Sequence, residues 1–312
     1  MTRPGAFVPV AVTRRSGCDE SIHHGAVVAI GADGALAWSA GDADVEIYPR
    51  SSLKPLQAEA MIRAGLDVDA SALAVVCASH GGRAEHLDAV RRILRGAGLS
   101  EHDLRNTPAY PLDGEAHDDA VRHGVEQSAL LQNCSGKHAG MLATAVVNGW
   151  PTAGYLAPEH PVQSAVIAHL ARVAGPVTHV GVDGCGAPAA VVGLRAVASA
   201  IRDVAVRRGA VYHAMTTHPK LVGGPQRDVT ALMELVAGLV AKDGAEGVFV
   251  AALPDGRAVG VKIADGASRA CGPVVVAALR ALGVDVPAGA LAQPVLGHGQ
   301  PVGEVLSILG DP

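Results

Sequence analysis

Residues 247–263 read GVFVAALPDGRAVGVKI, two apolar runs separated by a short polar turn. The turn PDGR at 254–257 contains the residues that turns favour, and it joins an apolar run at 247–253 to another at 258–263. The first 48 residues have the same strand-like character, with an apolar, β-branched run at 6–13 and a hairpin signal, GADG, at 31–34. The sequence therefore predicts that strands from both ends of the chain pair in one antiparallel sheet.

The middle of the chain, about 84–243, is predicted to be rich in helices. Helical patterns cover the segments 84–96, 137–147, 161–173, 188–207 and 227–242, and a helix is also expected to begin at Ser51 or Ser52. Segment 72–78 is interpreted as a short buried run, and Lys242 as a cation at a helix C-terminus. The order of strands, helices and strands predicts an α+β fold rather than repeated βαβ units. We expect a single catalytic domain over 1–312, with strands from 6–48 and 247–263 in one sheet and helices on its faces.

Composition excludes several classes of protein. The formal net charge of −5 leaves no basic face for a nucleic-acid partner. No apolar run reaches the ~18 residues of a membrane helix. The N-terminus lacks the order of a signal peptide, so segment 6–13 is interpreted as a first strand and the protein as cytoplasmic. Five widely spaced cysteines indicate reduced thiols.

Lysine is scarce in this chain. The 25 basic residues include only five lysines: Lys54, Lys137, Lys220, Lys242 and Lys262. Arginine serves nearly everywhere as the solvated cation, but it cannot act as a base. The few lysines are therefore candidates for chemistry that needs an amine able to lose its proton.

The segment RSSLKP at 50–55 places Ser51 and Lys54 three residues apart, the S-x-x-K spacing of serine acyl transferases. A lysine is a base at neutral pH only where burial or a neighbouring cation lowers its pKa, and Arg50 is a candidate neighbour. The alternative is a helix-capping serine beside a surface lysine.

Two further segments combine nucleophilic and small residues. In CASHGG at 77–82, Ser79 precedes two glycines, where backbone can approach a ligand; a capping serine in a turn is the alternative. In NCSGKHAGM at 133–141, Cys134, Lys137 and His138 have the spacing of one helical face, which indicates function. The upstream glycine of a phosphate-binding loop is missing.

Two segments in the second half of the chain also contain residues that could bind a metal or act in catalysis. In DGCG at 183–186, Asp183 and Cys185 lie on a glycine-flanked loop, and Cys185 could join Cys134 in a sulfur-rich zinc site; a tight turn with a buried cysteine is the alternative. Lys262 alternates with apolar residues on a late strand, as in the K-T-G element of penicillin-binding enzymes. Ala264 in the third position leaves that match incomplete.

Six segments in this order resemble the rhizobial-type (class 3) L-asparaginases. They are RSSLKP, CASH, NCSGKHAGML, VDGCGAP, THPKLVGG and VGVKIADG, and the likeness runs from about residue 8 to about residue 270. The resemblance implies a fold similar to serine β-lactamases and serine-type glutaminases. Gly81-Gly82-Arg83 stand where related proteins often have an acidic residue, and Pro225-Gln226 where Glu and Gly are common. These departures bear on substrate affinity.

The resemblance also implies roles for individual residues. It implies two serine–lysine pairs, Ser51 with Lys54 and Ser79 with Lys262. It further implies a zinc site and a set of positions near the substrate, with the ligands Cys134, Lys137 and Cys185 and the neighbours Arg50, His138 and Asp183. The family is generally homodimeric.

The sequence thus yields the hypothesis of an amidohydrolase that converts L-asparagine to L-aspartate and ammonia. Ser51 would attack with Lys54 as base, while Ser79 and Lys262 relay protons; which serine is the nucleophile stays open. Alternatives are a glutaminase or β-lactamase-like hydrolase of the same fold, and an enzyme with Cys134 as nucleophile and His138 as base. A zinc-dependent amino-acid-binding protein without catalysis is the non-enzymatic alternative.

Overall fold

The computed structural model of the protein describes residues 5–310, and the chain forms two compact units. Unit one comprises Met1–Ser52, Val191–Arg207 and Ala231–Pro312, and unit two comprises Leu53–Ala190 and Arg208–Thr230. A single catalytic domain remains a prediction. Among the described residues, every helix is too short or too polar to cross a membrane.

The strands are β1 Val8–Arg15, β2 Cys18–Ile30, β3 Leu36–Ala40, β4 Glu46–Ile47, β5 His179–Val182, β6 Pro188–Gly193, β7 Val240–Gly244, β8 Val248–Ala252, β9 Ala258–Ile263, β10 Gln293–Gly297 and β11 Gln300–Ser307. The helices are α1 Lys54–Arg63, α2 Ala70–Val76, α3 Ala84–Gly96, α4 Gly114–Arg122, α5 Ser135–Val147, α6 Pro161–Val173, α7 Leu194–Arg207, α8 Ala210–Thr217, α9 Pro219–Val222, α10 Asp228–Leu235 and α11 Cys271–Ala281. Short 3₁₀ turns cover Arg50–Leu53, Glu101–Asp103 and Ser268–Ala270.

Unit one is built on an eight-stranded sheet in the order β10-β11-β1-β2-β9-β8-β7, with β3 also paired to β2. The pairings are antiparallel, and Val27 of β2 lies opposite Val261 of β9. The α+β fold with strands of both chain ends in one antiparallel sheet is therefore confirmed. The C-terminal strand β11 also enters this sheet beside β1.

Helices α7 and α11 pack against this sheet. A Cβ built on Gly260 would lie 3.1 Å from Ala198 Cβ and 3.3 Å from Leu194 Cδ1, so the glycine lets α7 approach β9 closely. Strand β9 is thus held by β2 and β8 at its edges and by a helix on one face. This fixes the position of Lys262, the fifth residue of the strand.

Two predicted helices are corrected by the structure. Segment 188–207 is not one helix, because β6 is followed directly by α7. Segment 227–242 contains α10 and then β7, with Gly238 at φ 76° between them. Segment 72–78 is buried as predicted, and most of it forms helix α2. Runs rich in Ala and Val fit a buried helix as well as a buried strand, so their periodicity could not decide.

Two further corrections concern single positions. Lys242 is not a helix-terminal cation; it lies on β7, is fully buried, and its Nζ donates to Asp243 O over 2.9 Å. Strand β4 lies within segment 6–48 but not in the main sheet, because Ile47 pairs with Val192 of β6. The range 6–48 that was predicted for strands of the main sheet therefore includes one strand that lies outside it.

Unit two is mainly helical, and the contact of α5 with α2 sets the positions of its polar side chains. A Cβ on Gly136 would lie 2.2 Å from Val75 O, and one on Gly140 would lie 3.0 Å from both Val76 methyl groups. Two glycines four residues apart on α5 therefore allow the helices to touch through backbone. As a result, the start of α5 lies beside the end of α2, from which the chain continues to Ser79.

Candidate functional site

Lys54 is the first residue of α1, and only 1% of its surface is exposed. Its Nζ lies 3.2 Å from Ser79 Oγ, 2.5 Å from Ala78 O and 3.1 Å from Cys134 Sγ. A buried amine is stable only when such partners replace water. The structure therefore brings Lys54 and Ser79, 25 positions apart in the sequence, into a serine–lysine contact.

The backbone around Ser79 is fixed by hydrogen bonds to two other segments. Ser79 N donates to Val222 O over 3.1 Å, and His80 N donates to Asn133 O over 3.1 Å. The Ser79 side chain is 3% exposed. Because both N–H groups have acceptors, a negatively charged oxygen that forms near Ser79 needs other donors.

A cluster of two thiols and an amine lies next to this pair. Cys134 precedes α5, Lys137 lies in its first turn, and all three side chains are almost completely buried. Cys185 lies in a turn closed by the hydrogen bond from Asp183 N to Ala187 O, 2.9 Å long, with Gly186 at φ 87°. Lys137 Nζ is 3.2 Å from Cys185 Sγ. The structure thus contains the tight turn with a buried cysteine, and this turn places the Cys185 thiol in contact with Lys137.

The surroundings of the two thiols shift their pKa values in opposite directions. The hydrogen bond with Cys185 lowers the pKa of Cys134 well below its usual value, and the charges of Lys54 and Lys137 lower it further. The same hydrogen bond, together with burial, raises the pKa of Cys185. Burial opposes the charged form of Lys137, but the charges of the cysteines outweigh it and raise its pKa. Of the two thiols, Cys134 therefore favours the charged form more strongly than Cys185.

The donors in this cluster suit zinc chemically. Among the described residues, no group of three or more His, Cys, Asp and Glu side chains could hold a metal ion, so a zinc site here needs the amine of Lys137 as a ligand. Zinc prefers thiolate and nitrogen donors, and its usual bond lengths place tetrahedral ligands about 3.6 Å apart. The Lys137–Cys185 separation of 3.2 Å is close to that value. The donor types and spacing of Lys137 and Cys185 therefore fit two zinc ligands, and Cys134 contributes a second thiol to the same cluster.

His138 follows Lys137 on α5 and is fully buried. Its Nδ1 lies 2.9 Å from the hydroxyl of Tyr155, whose ring meets the imidazole edge-on. Burial, followed by the charges of Lys137 and Lys54, lowers the pKa of His138 well below its usual value. The partners of the Cys134 thiol are Lys54, Asn133 and Cys185, so the contacts do not favour His138 as its base.

Three other predicted residues of the site, Arg50, Ser51 and Lys262, belong to unit one. Arg50 has φ 53° in the 3₁₀ turn that includes Ser51, a left-handed conformation that is uncommon for arginine and costs about 1–3 kcal/mol. Lys262 is half-buried, its Nζ donates to Glu246 O, and burial lowers its pKa. A Cβ on Gly244 would lie 2.2 Å from Pro49 O, so the end of β7 packs closely against the segment before Ser51. Lys262 contacts Glu246 in the turn that follows β7.

Asp183 keeps its carboxylate near its own turn. Its Oδ1 accepts a hydrogen bond of 2.7 Å from Gly184 N, and its charge acts on Lys137 and Cys185. A role beside the substrate remains a prediction for this residue.

Two features of this site were not predicted from the sequence. The contact of Lys54 with Cys134 links the serine–lysine pair to the thiol cluster. Tyr155 lies 17 positions from His138, and no motif surrounds it. The one signal for it in the sequence is the scarcity of tyrosine, which occurs four times in the chain. The structure shows that this tyrosine is completely buried.

The chain matches one protein family, described as L-asparaginase II, over residues 11–307. Similar solved structures include a β-lactamase from Mycobacterium bovis, at 14% identity over 82% of this chain and 94% of that chain, with a TM-score of 0.45. A putative β-lactamase from Bacteroides dorei matches at 15% identity over 83% and 92% of the two chains, with a TM-score of 0.43. EstCE1, a hydrolase with promiscuous acyltransferase activity, matches at 13% identity over 80% and 91%, with a TM-score of 0.41. No curated protein sequence matches the chain.

Proposed function

Because the chain belongs to the L-asparaginase II family, as the resemblance of its six segments indicated, we propose that it hydrolyses L-asparagine to L-aspartate and ammonia. Family membership supports the coarser assignment, an amidohydrolase for a small molecule. The observation that carries the chemical proposal is the distance of 3.2 Å between Lys54 Nζ and Ser79 Oγ. This contact favours Ser79 as the nucleophile and Lys54 as its base.

The three partners of the Lys54 amine suggest how it would act. A neutral amine has two N–H donors and one lone pair. Ala78 O and the Cys134 thiolate can only accept, so they would take the two N–H groups. The lone pair then remains for the proton of the Ser79 hydroxyl. The site thus offers the geometry of a lysine that activates a serine.

In the proposed reaction, Ser79 Oγ bonds to the side-chain amide carbon while its proton passes to Lys54 Nζ. That proton is then delivered to the amide nitrogen, the C–N bond breaks, and ammonia leaves. Water attacks the resulting ester, Lys54 takes a proton from it, and Ser79 leaves with a proton as aspartate is released. In both acylation and deacylation, Lys54 first accepts a proton as a base and then donates it as an acid, as the base of acyl-transfer enzymes does.

Ser51, Arg50 and Lys262 remain proposed participants on the basis of the family resemblance. The lowered pKa of Lys262 suits an amine that relays protons. Ser51 is the second candidate for the nucleophile. Asp183 and His138 remain proposed substrate neighbours. The homodimer and the cytoplasmic location are likewise proposals.

The direct test is ammonia release by the purified protein from L-asparagine and, in parallel, from L-glutamine. We expect release from asparagine, with a larger kcat/KM than for glutamine. A preference for glutamine would support a glutaminase instead. Binding of asparagine without any ammonia would contradict catalysis and support the amino-acid-binding alternative.

We also propose that Cys134, Lys137 and Cys185 hold zinc. When bound, the ion would supply a positive charge that orients the substrate. The purified protein is expected to contain about one zinc per chain, and Cys185→Ser is expected to lose most of it because a thiolate ligand is removed. Elemental analysis by mass spectrometry measures this.

The matched control is Cys18→Ser, which removes an exposed thiol far along the sequence from the cluster. It should retain the zinc of the wild type. Equal zinc content in the Cys185 and Cys18 variants would contradict the site.

A further inference from the structure

One nitrogen of the His138 imidazole makes no hydrogen bond within the part of the chain that the structure describes. This nitrogen is Nε2, which is buried, while Nδ1 contacts the Tyr155 hydroxyl. A buried polar group without a partner costs about 1–3 kcal/mol. His138 N donates to Cys134 O over 3.2 Å, and Cys134 Sγ lies 3.1 Å from Lys54 Nζ, so this group lies one helical turn from a residue that contacts the serine–lysine pair. A buried polar group without a partner in such a place is a candidate for contact with a ligand.

Three atoms determine which nitrogen of His138 carries the proton. The backbone N–H of Arg105 donates to the Tyr155 hydroxyl oxygen over 3.0 Å. The hydroxyl has one proton, and its other neighbour is His138 Nδ1 at 2.9 Å. A buried hydroxyl proton needs an acceptor, and Nδ1 is the acceptor that this hydroxyl contacts among the described residues, so we take Nδ1 to accept and to carry no proton. The proton of the neutral ring lies on Nε2, which makes the unpartnered nitrogen a donor.

The protonation state of Tyr155 agrees with this arrangement. Burial raises the pKa of Tyr155 to about 12, so its hydroxyl keeps the proton that it donates. The two rings meet at 76° with centroids 5.7 Å apart, which holds the imidazole in one orientation.

The backbone N–H groups around Ser79 already have acceptors, so the reaction needs a hydrogen-bond donor from elsewhere. Attack on an amide places negative charge on its oxygen, and enzymes stabilise that charge with hydrogen-bond donors already in position. The N–H groups of Ser79 and His80 already donate to Val222 O and Asn133 O. Neither is available without breaking a hydrogen bond of the fold.

We propose that His138 donates through Nε2–H to the oxygen of the reacting amide, and that Tyr155 is the positioning residue that fixes this tautomer. The proposal rests on the proposed amide hydrolysis. It assigns to Tyr155 a role that no sequence motif indicated.

The first test reads the tautomer without any substrate. Two-bond ¹H–¹⁵N NMR spectra distinguish a protonated from an unprotonated ring nitrogen, and the His138 signals are assigned by their loss in His138→Ala. We expect Nε2–H in the wild type and a mixture of both tautomers in Tyr155→Phe. An Nδ1–H tautomer in the wild type overturns the proposal even if the Tyr155 variant does not fold.

The second test is kinetic. Tyr155→Phe should lower kcat for asparagine by about 10- to 100-fold, the usual effect of removing a group that orients an active residue. KM should change little, since a donor to the developing charge acts mainly in the transition state. A loss confined to thermal stability, with kcat and tautomer unchanged, would show that Tyr155 is only structural.

Tyr212→Phe is the matched control. Tyr212 is also buried and also meets a histidine edge-on, His213, with ring centroids 5.3 Å apart. It should leave kcat and the His138 tautomer unchanged. If the wild type releases no ammonia, the proposed function fails, whereas the tautomer can still be read; ammonia release with an Nδ1–H tautomer refutes the inference alone.

Discussion

Lys54→Met is expected to lower kcat for asparagine by about 10²- to 10⁴-fold, the range for loss of a positioned general base. Methionine has a similar length and fills the buried space of the lysine, but it has no amine to accept the proton of Ser79. The contact of 3.2 Å between Lys54 Nζ and Ser79 Oγ is thereby lost. Steady-state ammonia release measures the effect.

Lys220→Met is the matched control, because Lys220 is an exposed lysine of the same unit. It should keep the activity of the wild type. Replacing the buried lysine leaves Ala78 O without its donor, which also costs stability. Circular dichroism of both variants therefore separates loss of chemistry from loss of fold.

The same assay decides between the two serines. If Ser79 is the nucleophile, Ser79→Ala should lose as much activity as Lys54→Met, and the double variant should lose little more, because the two groups act as a unit. Ser51→Ala should then retain more activity than Ser79→Ala. The reverse order would favour the Ser51–Lys54 pair of the sequence motif, and full activity in both serine variants would remove the serine mechanism altogether.

Gly136→Ala is expected to lower the free energy of unfolding by about 3 kcal/mol or more, at the upper end for an overpacked core. Its Cβ would lie 2.2 Å from Val75 O and 2.5 Å from Val75 Cγ1. No rotamer change can relieve a clash with backbone, so α5 would have to move away from α2. The sign is informative because Gly to Ala in an open helix normally stabilises by about 1 kcal/mol.

Urea unfolding measures this change, with Gly96→Ala as the control. Gly96 is the last residue of α3, and a Cβ there would have no heavy atom within 4 Å. The control should unfold at or above the urea concentration of the wild type. Equal midpoints for the wild type and Gly136→Ala would mean that α5 and α2 do not touch as closely as described.

Local patterns predicted the sheet because a strand and its turn carry their own signals. The turn at 254–257 and the apolar runs on either side of it placed β8 and β9, and the GADG segment placed β2 and β3. The apolar runs of β6 and β7 were instead assigned to helices, because they are buried, lack alternation and adjoin α7 and α10 in the chain. The last two strands, β10 and β11, had no prediction at all.

In the candidate site, the sequence identified most of the side chains but not their partners. Lys54 was grouped with Ser51, its neighbour in the chain, whereas its amine contacts Ser79 and Cys134. Lys137 and Cys185 were joined only through the family resemblance, and the structure places them 3.2 Å apart.

By itself, the sequence determined the chemical inventory: scarce lysines, reactive serines and thiols beside glycines, and the strands that carry or flank them. These are local properties, since turn formation and spacing depend on neighbouring residues. The tertiary structure decided which amine meets which hydroxyl and that Tyr155 meets His138. Those contacts join positions 17 to 80 apart, and the close approach of α5 to α2 at Gly136 and Gly140 helps to position the α5 residues that take part in them. Such a contact depends on backbone packing between distant segments, which local propensity does not encode.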